Sequence, residues 1–140
     1  MPTLTLKIAP PCAPDRTRAL ARALTAITAQ TLGKRAAVTA VLIDELNAHH
    51  WTVGARALQQ PTALLEISIT AGTNSAAQKA AFIAAAFAEL QQQLAPGAAL
   101  EEASYVIVRE LPDSDWGYGG QTQQARQLQR ATDEAAVQNR

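Results

Sequence analysis

The chain repeats itself, and the repeat limits its possible folds more than any other feature. The stretch IDELNAHHWTVGA at 43–55 returns as VRELPDSDWGYGG at 108–120. Glu45 matches Glu110, Leu46 matches Leu111, Trp51 matches Trp116 and Gly54 matches Gly119, each pair 65 positions apart. Upstream, LTLKI at 4–8 resembles LEISI at 65–69. A repeat unit of about 60 residues has the size of one βαβ supersecondary element plus its connections.

Within each copy the periodicity is readable. Thr3, Thr5 and Lys7 alternate with Leu4, Leu6 and Ile8, which predicts a half-buried strand. DRTRALARALTAITAQTL follows, with Leu20, Leu24, Ile27 and Thr31 at helical spacing and Gly33 as its stop. VTAVLIDEL at 38–46 is rich in branched residues and reads as a strand. In the second copy, Leu65, Ile67 and Ile69 alternate with Glu66, Ser68 and Thr70. Ser75 and Gln78 have capping-box spacing ahead of a helix. Phe82, Ala86 and Leu90 share one face of that helix, Ile83 and Phe87 flank them, and Pro96-Gly97 ends it. SYVIVREL at 104–111 is the closing strand, and each Trp–x–x–Gly stretch reads as a short hairpin or loop.

Two βαβ units joined in tandem predict an α+β (α/β) fold: a four-stranded mixed sheet with two helices on one face and right-handed crossovers. One domain is expected over 1–120, built from repeats at 2–60 and 63–120, followed by a polar, Gln-rich tail at 121–140 that is either mobile or docked on a partner. The uncovered face carries Thr3, Thr5, Lys7, Glu66, Ser68 and Thr70. A closed ring of copies would enclose it.

Composition excludes several classes. Lys+Arg and Asp+Glu balance at 12 each in 140 residues, so no strong field favours nucleic acid or an anionic membrane. Cys12 is the only cysteine, which rules out an intrachain disulfide and suits a reducing cytoplasm. There is no leader pattern and no apolar run long enough to span a bilayer; AAFIAAAFAEL is too short. A cytoplasmic protein is expected. No phosphate-binding glycine loop, nucleophile elbow or zinc spacing occurs, so neither cofactor nor metal is expected. His49 and His50 are adjacent, and their side chains diverge in an extended segment. Cys12 reads as an apolar filler; reactivity would require it at a helix N-terminus beside Pro2.

Pro2 has two readings. It is a strand-start proline, tolerated because its missing N–H costs little there. Alternatively, removal of Met1 makes it a free secondary amine, a base and nucleophile that no internal residue supplies.

Pro2 ahead of TLTLKI, the pattern DEL–x4–W–x–VG at 44–54 and REL–x4–WGYGG at 109–120 together resemble the tautomerase superfamily, the group of 4-oxalocrotonate tautomerase (4-OT) and macrophage migration inhibitory factor. With both copies on one chain, the sequence is similar to the fused members, which assemble as trimers. AHHWTVGARAL, TAGTNSAAQKAAFIAA, SYV–x–V and YGG–x–TQ also look like a group labelled 4-oxalocrotonate tautomerase-like.

The resemblance implies a homotrimeric, cofactor-independent isomerase acting on a small 2-oxo or enol carboxylate, with Pro2 as general base. One site per chain follows, since Ala63 at the matching place in the second copy is internal. A buried proline amine beside a cation would be neutral and ready to accept a proton; if protonated, it would serve hydratase or dehalogenase chemistry as an acid. The enolate needs a donor. The 4-OT arginine positions hold Cys12 and Ala40 here, and Tyr105 is the donor that the resemblance implies, presented to a neighbouring subunit's proline. Trp51, His50 and Arg56 would line the site, and Ile107 and Arg109 share Tyr105's strand face by parity. The rival expectation is a non-catalytic member that binds a small ligand or a protein partner.

Overall fold

A computed structural model describes all 140 residues. Strand β1 (Thr3–Ala9) leads through a short turn into helix α1 (Pro14–Leu32), then a 3-10 turn at Ala36–Val38 and strand β2 (Ala40–Glu45). A second 3-10 turn at Ala48–His50 precedes a hairpin of β3 (Thr52–Val53) and β4 (Arg56–Ala57). The second copy runs β5 (Thr62–Thr70), α2 (Ala76–Leu94), β6 (Tyr105–Leu111) and a hairpin of β7 (Gly117–Tyr118) and β8 (Gln121–Thr122). Helix α3 (Gln123–Gln138) ends the chain.

The main sheet has the order β2-β1-β5-β6. Each copy contributes one parallel pair, β1 with β2 and β5 with β6, and the copies meet at an antiparallel seam between β1 and β5. Leu6 lies opposite Leu65 at that seam, with Leu4 opposite Ile67 and Ile8 opposite Ala63. All six are fully buried under the helices. The antiparallel seam makes the two copies run in opposite directions, so equivalent loops emerge at opposite ends of the sheet.

Both helices pack through four-residue ridges. In α2 the buried ridge is Phe82, Ala86 and Leu90, as the spacing predicts. In α1 it is Leu20, Leu24, Thr28 and Leu32. The sequence had pointed to Thr31 instead of Thr28. Thr28 enters the core because its hydroxyl donates to the Leu24 carbonyl at 2.7 Å, leaving only its methyl to pack. Gly33 ends α1 in the left-handed region at φ 67°, and the Ser75–Gln78 capping box starts α2 with reciprocal bonds of 3.1 and 2.9 Å.

The open face carries Thr3, Thr5 and Lys7, the alternate residues of β5, and Tyr105, Ile107 and Arg109 of β6. Leu42 and Tyr105 are each 61% exposed. Arg109 pairs with Glu66 across this face at 3.0 Å.

The two Trp–x–x–Gly stretches are both hairpins. Their tight turns place two consecutive residues at positive φ: Gly54 and Ala55 in the first, Gly119 and Gly120 in the second. That is the type I′ geometry matched to strand twist. Ala55 is an exposed alanine at φ 61°, which costs about 1 kcal/mol relative to glycine. Ala55→Gly is therefore expected to raise stability by up to about 1 kcal/mol, measured as a higher urea midpoint at unchanged slope. The stretch after 121, expected as a polar tail, is helical from Gln123 to Gln138, with Thr122 capping it through a 3.0 Å bond from the Ala125 amide. No helix is long and apolar enough to cross a membrane.

Candidate active site

Pro2 is buried at the mouth of β1. It continues the parity of Leu4, Leu6 and Ile8, which directs it to the helix-covered side of the sheet. Its carbonyl accepts the Ala40 amide at 3.2 Å, which fixes the chain start to β2. Three other segments converge on this point. The left-handed turn at Gly33 brings Lys34 and Arg35 beside the N-terminus. The end of β5 supplies Thr70 and, in the following turn, Thr73. The β7–β8 hairpin and α3 close the remaining side with Tyr118, Gln123, Gln127 and Arg130. Together with Met1 and Pro2 they enclose a cavity of about 280 Å³.

Its geometry is held by local bonds. Lys34 Nζ donates to Thr73 Oγ1 at 2.9 Å, and Thr73 Oγ1 donates to the Thr70 carbonyl at 2.6 Å. Asn74 Nδ2 ties the same turn to the Leu32 carbonyl at 2.9 Å. Lys34 is thus pinned from both repeats. On the other wall, Arg126 stacks on Tyr118, its guanidinium carbon 3.8 Å from the ring centroid, and donates from Nη2 to the Tyr118 carbonyl at 2.9 Å. The Gln123 amide donates to the Trp116 carbonyl at 2.9 Å. These contacts anchor the first turn of α3 to the hairpin. Gly117 permits the hairpin's closeness, since a Cβ there would sit 1.9 Å from the Gln121 carbonyl oxygen.

The electrostatics are one-sided. Lys34, Arg35 and Arg130 face the cavity, no carboxylate lines it, and none of the three cations has an ion-pair partner. Burial holds the Met1 amine below the usual value for a terminal amine, and Lys34, Arg130 and Arg35 push the same way. Burial also lowers the Lys34 ammonium from its ordinary value. An anion placed here would relieve several unfavourable terms at once.

The other residues singled out from sequence lie elsewhere in the chain. Tyr105 begins β6 opposite Leu64, at the far end of the sheet from Pro2. It shares a cleft of about 360 Å³ with Trp51, Val53 and Leu64. His50 ends the 3-10 turn near this cleft and Arg56 sits on β4; both are exposed. Ile107 lies midway along β6. Arg109 shares a cross-strand row with Ser68 and Thr3, about 10 Å from β1 by strand spacing, on the open face and paired with Glu66. One chain therefore does not bring these six residues to its own Pro2.

Of the two positions that the resemblance matched to arginines, Ala40 is beside Pro2 and Cys12 is past the far end of β1. The Cys12 amide donates to Glu45 at 3.1 Å, and burial together with Glu45 pushes the thiol up from its ordinary value. That removes the condition under which it would be reactive. Lys34, Arg35, Arg130 and Tyr118 were not found from sequence. One signal was available for the first two: a helix-stop glycine followed at once by Lys-Arg, ahead of the strand that pairs in parallel with β1. No cluster of three metal-type side chains occurs.

No protein-family model matches the chain, and no curated protein does. Solved structures do. A wild-type fused 4-OT, an asymmetric trimer, superposes with a TM-score of 0.78 at 28% identity, over 89% of this chain and 98% of its own. A protein solved after inactivation by 2-oxo-3-pentynoate gives 0.77 at 18% identity, over 89% and 98%. A macrophage migration inhibitory factor-like protein from Entamoeba histolytica gives 0.71 at 15% identity, over 86% and 97%. At these lower identities the likeness concerns the fold alone. In its fold and its tandem arrangement of two βαβ copies, the chain is similar to the fused 4-OT structures and shares the tautomerase-superfamily architecture.

Proposed function

We propose that this chain, once Met1 is removed, is a homotrimeric, cofactor-independent tautomerase that uses the Pro2 nitrogen as general base on a small 2-oxo or enol carboxylate. The observation that carries this is the union of a buried strand-start proline with three unpaired cations around one cavity. An enol carboxylate brings the two features such a site accepts: an anionic group for Lys34, Arg35 or Arg130, and an acidic proton for the amine.

In the proposed reaction, Pro2 nitrogen takes the enol hydroxyl proton and the electron pair becomes the keto C=O. The vinyl carbon, now carbanionic in character, takes the proton back from the prolinium. Atoms balance and nothing leaves. The cations that depress the Met1 amine stand one residue from Pro2, so they favour the neutral amine there as well. They also stabilise charge developing on the enolate. Tyr105 of the partner subunit, with Trp51, His50 and Arg56 around its cleft, would add a donor and an apolar wall from a neighbouring protomer. The trimeric fused 4-OT structure supports such an assembly, and the exposed Tyr105 is free to serve it. Ile107 and Arg109 would take part through the same open face.

The pH–rate profile tests the base assignment. A neutral amine is the active form, so kcat/KM should rise with pH and level off above the amine's pKa. With the pKa depressed, that midpoint lies below the value for a free prolyl terminus. The charged and titratable groups around it are Lys34, Arg35, Arg130 and Tyr118. Lys34→Ala removes one cation and should move the midpoint to higher pH. A rate that falls as pH rises through this range would instead indicate a prolinium acting as acid.

A further inference from the structure

Helix α3 has one buried residue, Gln123, at 4% exposure. It lines the cavity together with Pro2. Its backbone is fixed on both sides. The Gln123 backbone amide donates to the Trp116 carbonyl and the Gln124 backbone amide to the Asp113 carbonyl, each at 2.9 Å. Thr122 caps the helix directly before it. A well-anchored turn therefore delivers this side chain to the cavity wall.

The side-chain amide bonds to no other group of the chain, although the turns around it are closed by hydrogen bonds from Thr122 and Arg126. A glutamine buried to this degree normally satisfies its amide, because a bond left unmade costs about 1–3 kcal/mol. Only Gln93 Oε1 and Trp116 Nε1 are both unpaired and wholly enclosed. The Gln123 amide is not among them, so its polar atoms still meet open space, and the space this residue borders is the cavity. A preplaced amide with a free donor and a free acceptor on a cavity wall is suited to fixing a ligand's orientation.

The chemistry of the cavity narrows which ligand atom it takes. Lys34 and Arg35 line the same space, and charged donors make the stronger bonds to a carboxylate. A neutral amide suits the other oxygen of a 2-oxo acid, the one at C2. That oxygen is uncharged in the keto form and gains charge as an enolate develops, so a bond from Nε2 would strengthen along the reaction.

We infer that the Gln123 side-chain amide donates to the 2-oxo oxygen of the ligand and so selects 2-oxo acids over acids that lack this oxygen. The inference rests on the cavity being the substrate site proposed above, but it concerns binding and does not need Pro2 to react.

Two probes that cannot tautomerise test it: phenylglyoxylate, a 2-oxo acid with no hydrogen to lose beside its ketone, and phenylacetate, the same skeleton with CH2 in place of the ketone. Each carries one carboxylate. Calorimetric titration of the full-length protein should show phenylglyoxylate binding ~5-fold tighter, the value of one hydrogen bond. Gln123→Met keeps the length and bulk of the side chain but has no donor. It should weaken phenylglyoxylate to the level of phenylacetate and leave phenylacetate within about twofold of wild type, which shows that the cavity is kept. Gln123→Asn draws the amide back by one methylene and should also reduce the preference; it decides the matter if the methionine variant does not fold. Equal affinity of the probes in wild type, or no binding of either, would overturn the inference. So would an unchanged preference in either variant, or a parallel loss for both probes. A preference that depends on Gln123 in a protein showing no turnover would uphold it while refuting the tautomerase proposal.

Discussion

Pro2→Ala is expected to lower kcat/KM for enol-to-keto conversion of phenylenolpyruvate or 2-hydroxymuconate by at least about 100-fold, the lower end of what a positioned general base contributes. The loss should fall mainly on kcat. The cations proposed to bind the carboxylate are Lys34, Arg35 and Arg130, and none of them is touched by the substitution. Alanine at position 2 keeps a terminal amine after Met1 removal, but it is a primary amine on a freely rotating residue. Proline's ring, packed on the buried side of the sheet, holds its nitrogen in one orientation. The comparison is made by following absorbance of the enol under conditions where the uncatalysed rate is subtracted. Equal rates in the two proteins would favour a ligand-binding role over catalysis.

Phe82→Ala should destabilise the fold by about 3–5 kcal/mol, the usual cost of emptying a fully buried aromatic site. Phe82 is the largest fully buried side chain and sits on the α2 ridge against the sheet. Phe87 lies on the same helix, five residues on and so on a different face, and is 36% exposed. Phe87→Ala should cost clearly less. The pair is measured by chemical denaturation at one fixed protein concentration, because assembly makes apparent stability concentration-dependent. Similar costs for both would mean that α2's outer face is also buried, for example against another copy.

The fold was legible because its signals are local. Leu4, Leu6 and Ile8 announce β1 by alternation alone. Ser75 and Gln78 announce the start of α2, and Gly33 the end of α1, through bonds made within one turn. The repeat then supplied the topology, since two βαβ units have few ways to share a sheet. Helix α3 was harder to see. Its Gln, Arg and Ala residues favour helix by propensity, but it lacks a buried stripe, which is the stronger signal in sequence.

The site was half legible. Pro2 stood out because its chemistry depends on being second in the chain. Lys34 and Arg35 looked like ordinary helix-end charges. They reach the candidate cavity because β2 pairs in parallel with β1, which returns the chain to its own beginning. Arg130 lies 128 positions from Pro2, and only the hairpin's docking brings it near. Tyr105 shares a strand face with Ile107 and Arg109, as parity predicts, and the antiparallel seam puts its end of β6 away from the Pro2 of its own chain. The role proposed for it therefore depends on assembly, as the resemblance implied by presenting it to a neighbouring subunit's proline.

The most direct measurement is intact and peptide mass spectrometry after treatment with 2-oxo-3-pentynoate, the reagent that inactivated one protein of this fold. A neutral Pro2 nitrogen would add to the alkyne carbon remote from the ketone. The alkyne π pair would move toward the carbonyl, and the nitrogen's proton would pass to the resulting enolate, with no leaving group. The expected product is a chain that begins at Pro2 and gains the full mass of one reagent molecule, located on the N-terminal peptide, with parallel loss of activity. An active protein that retains Met1, or a label found only on Cys12 or a lysine, would contradict it.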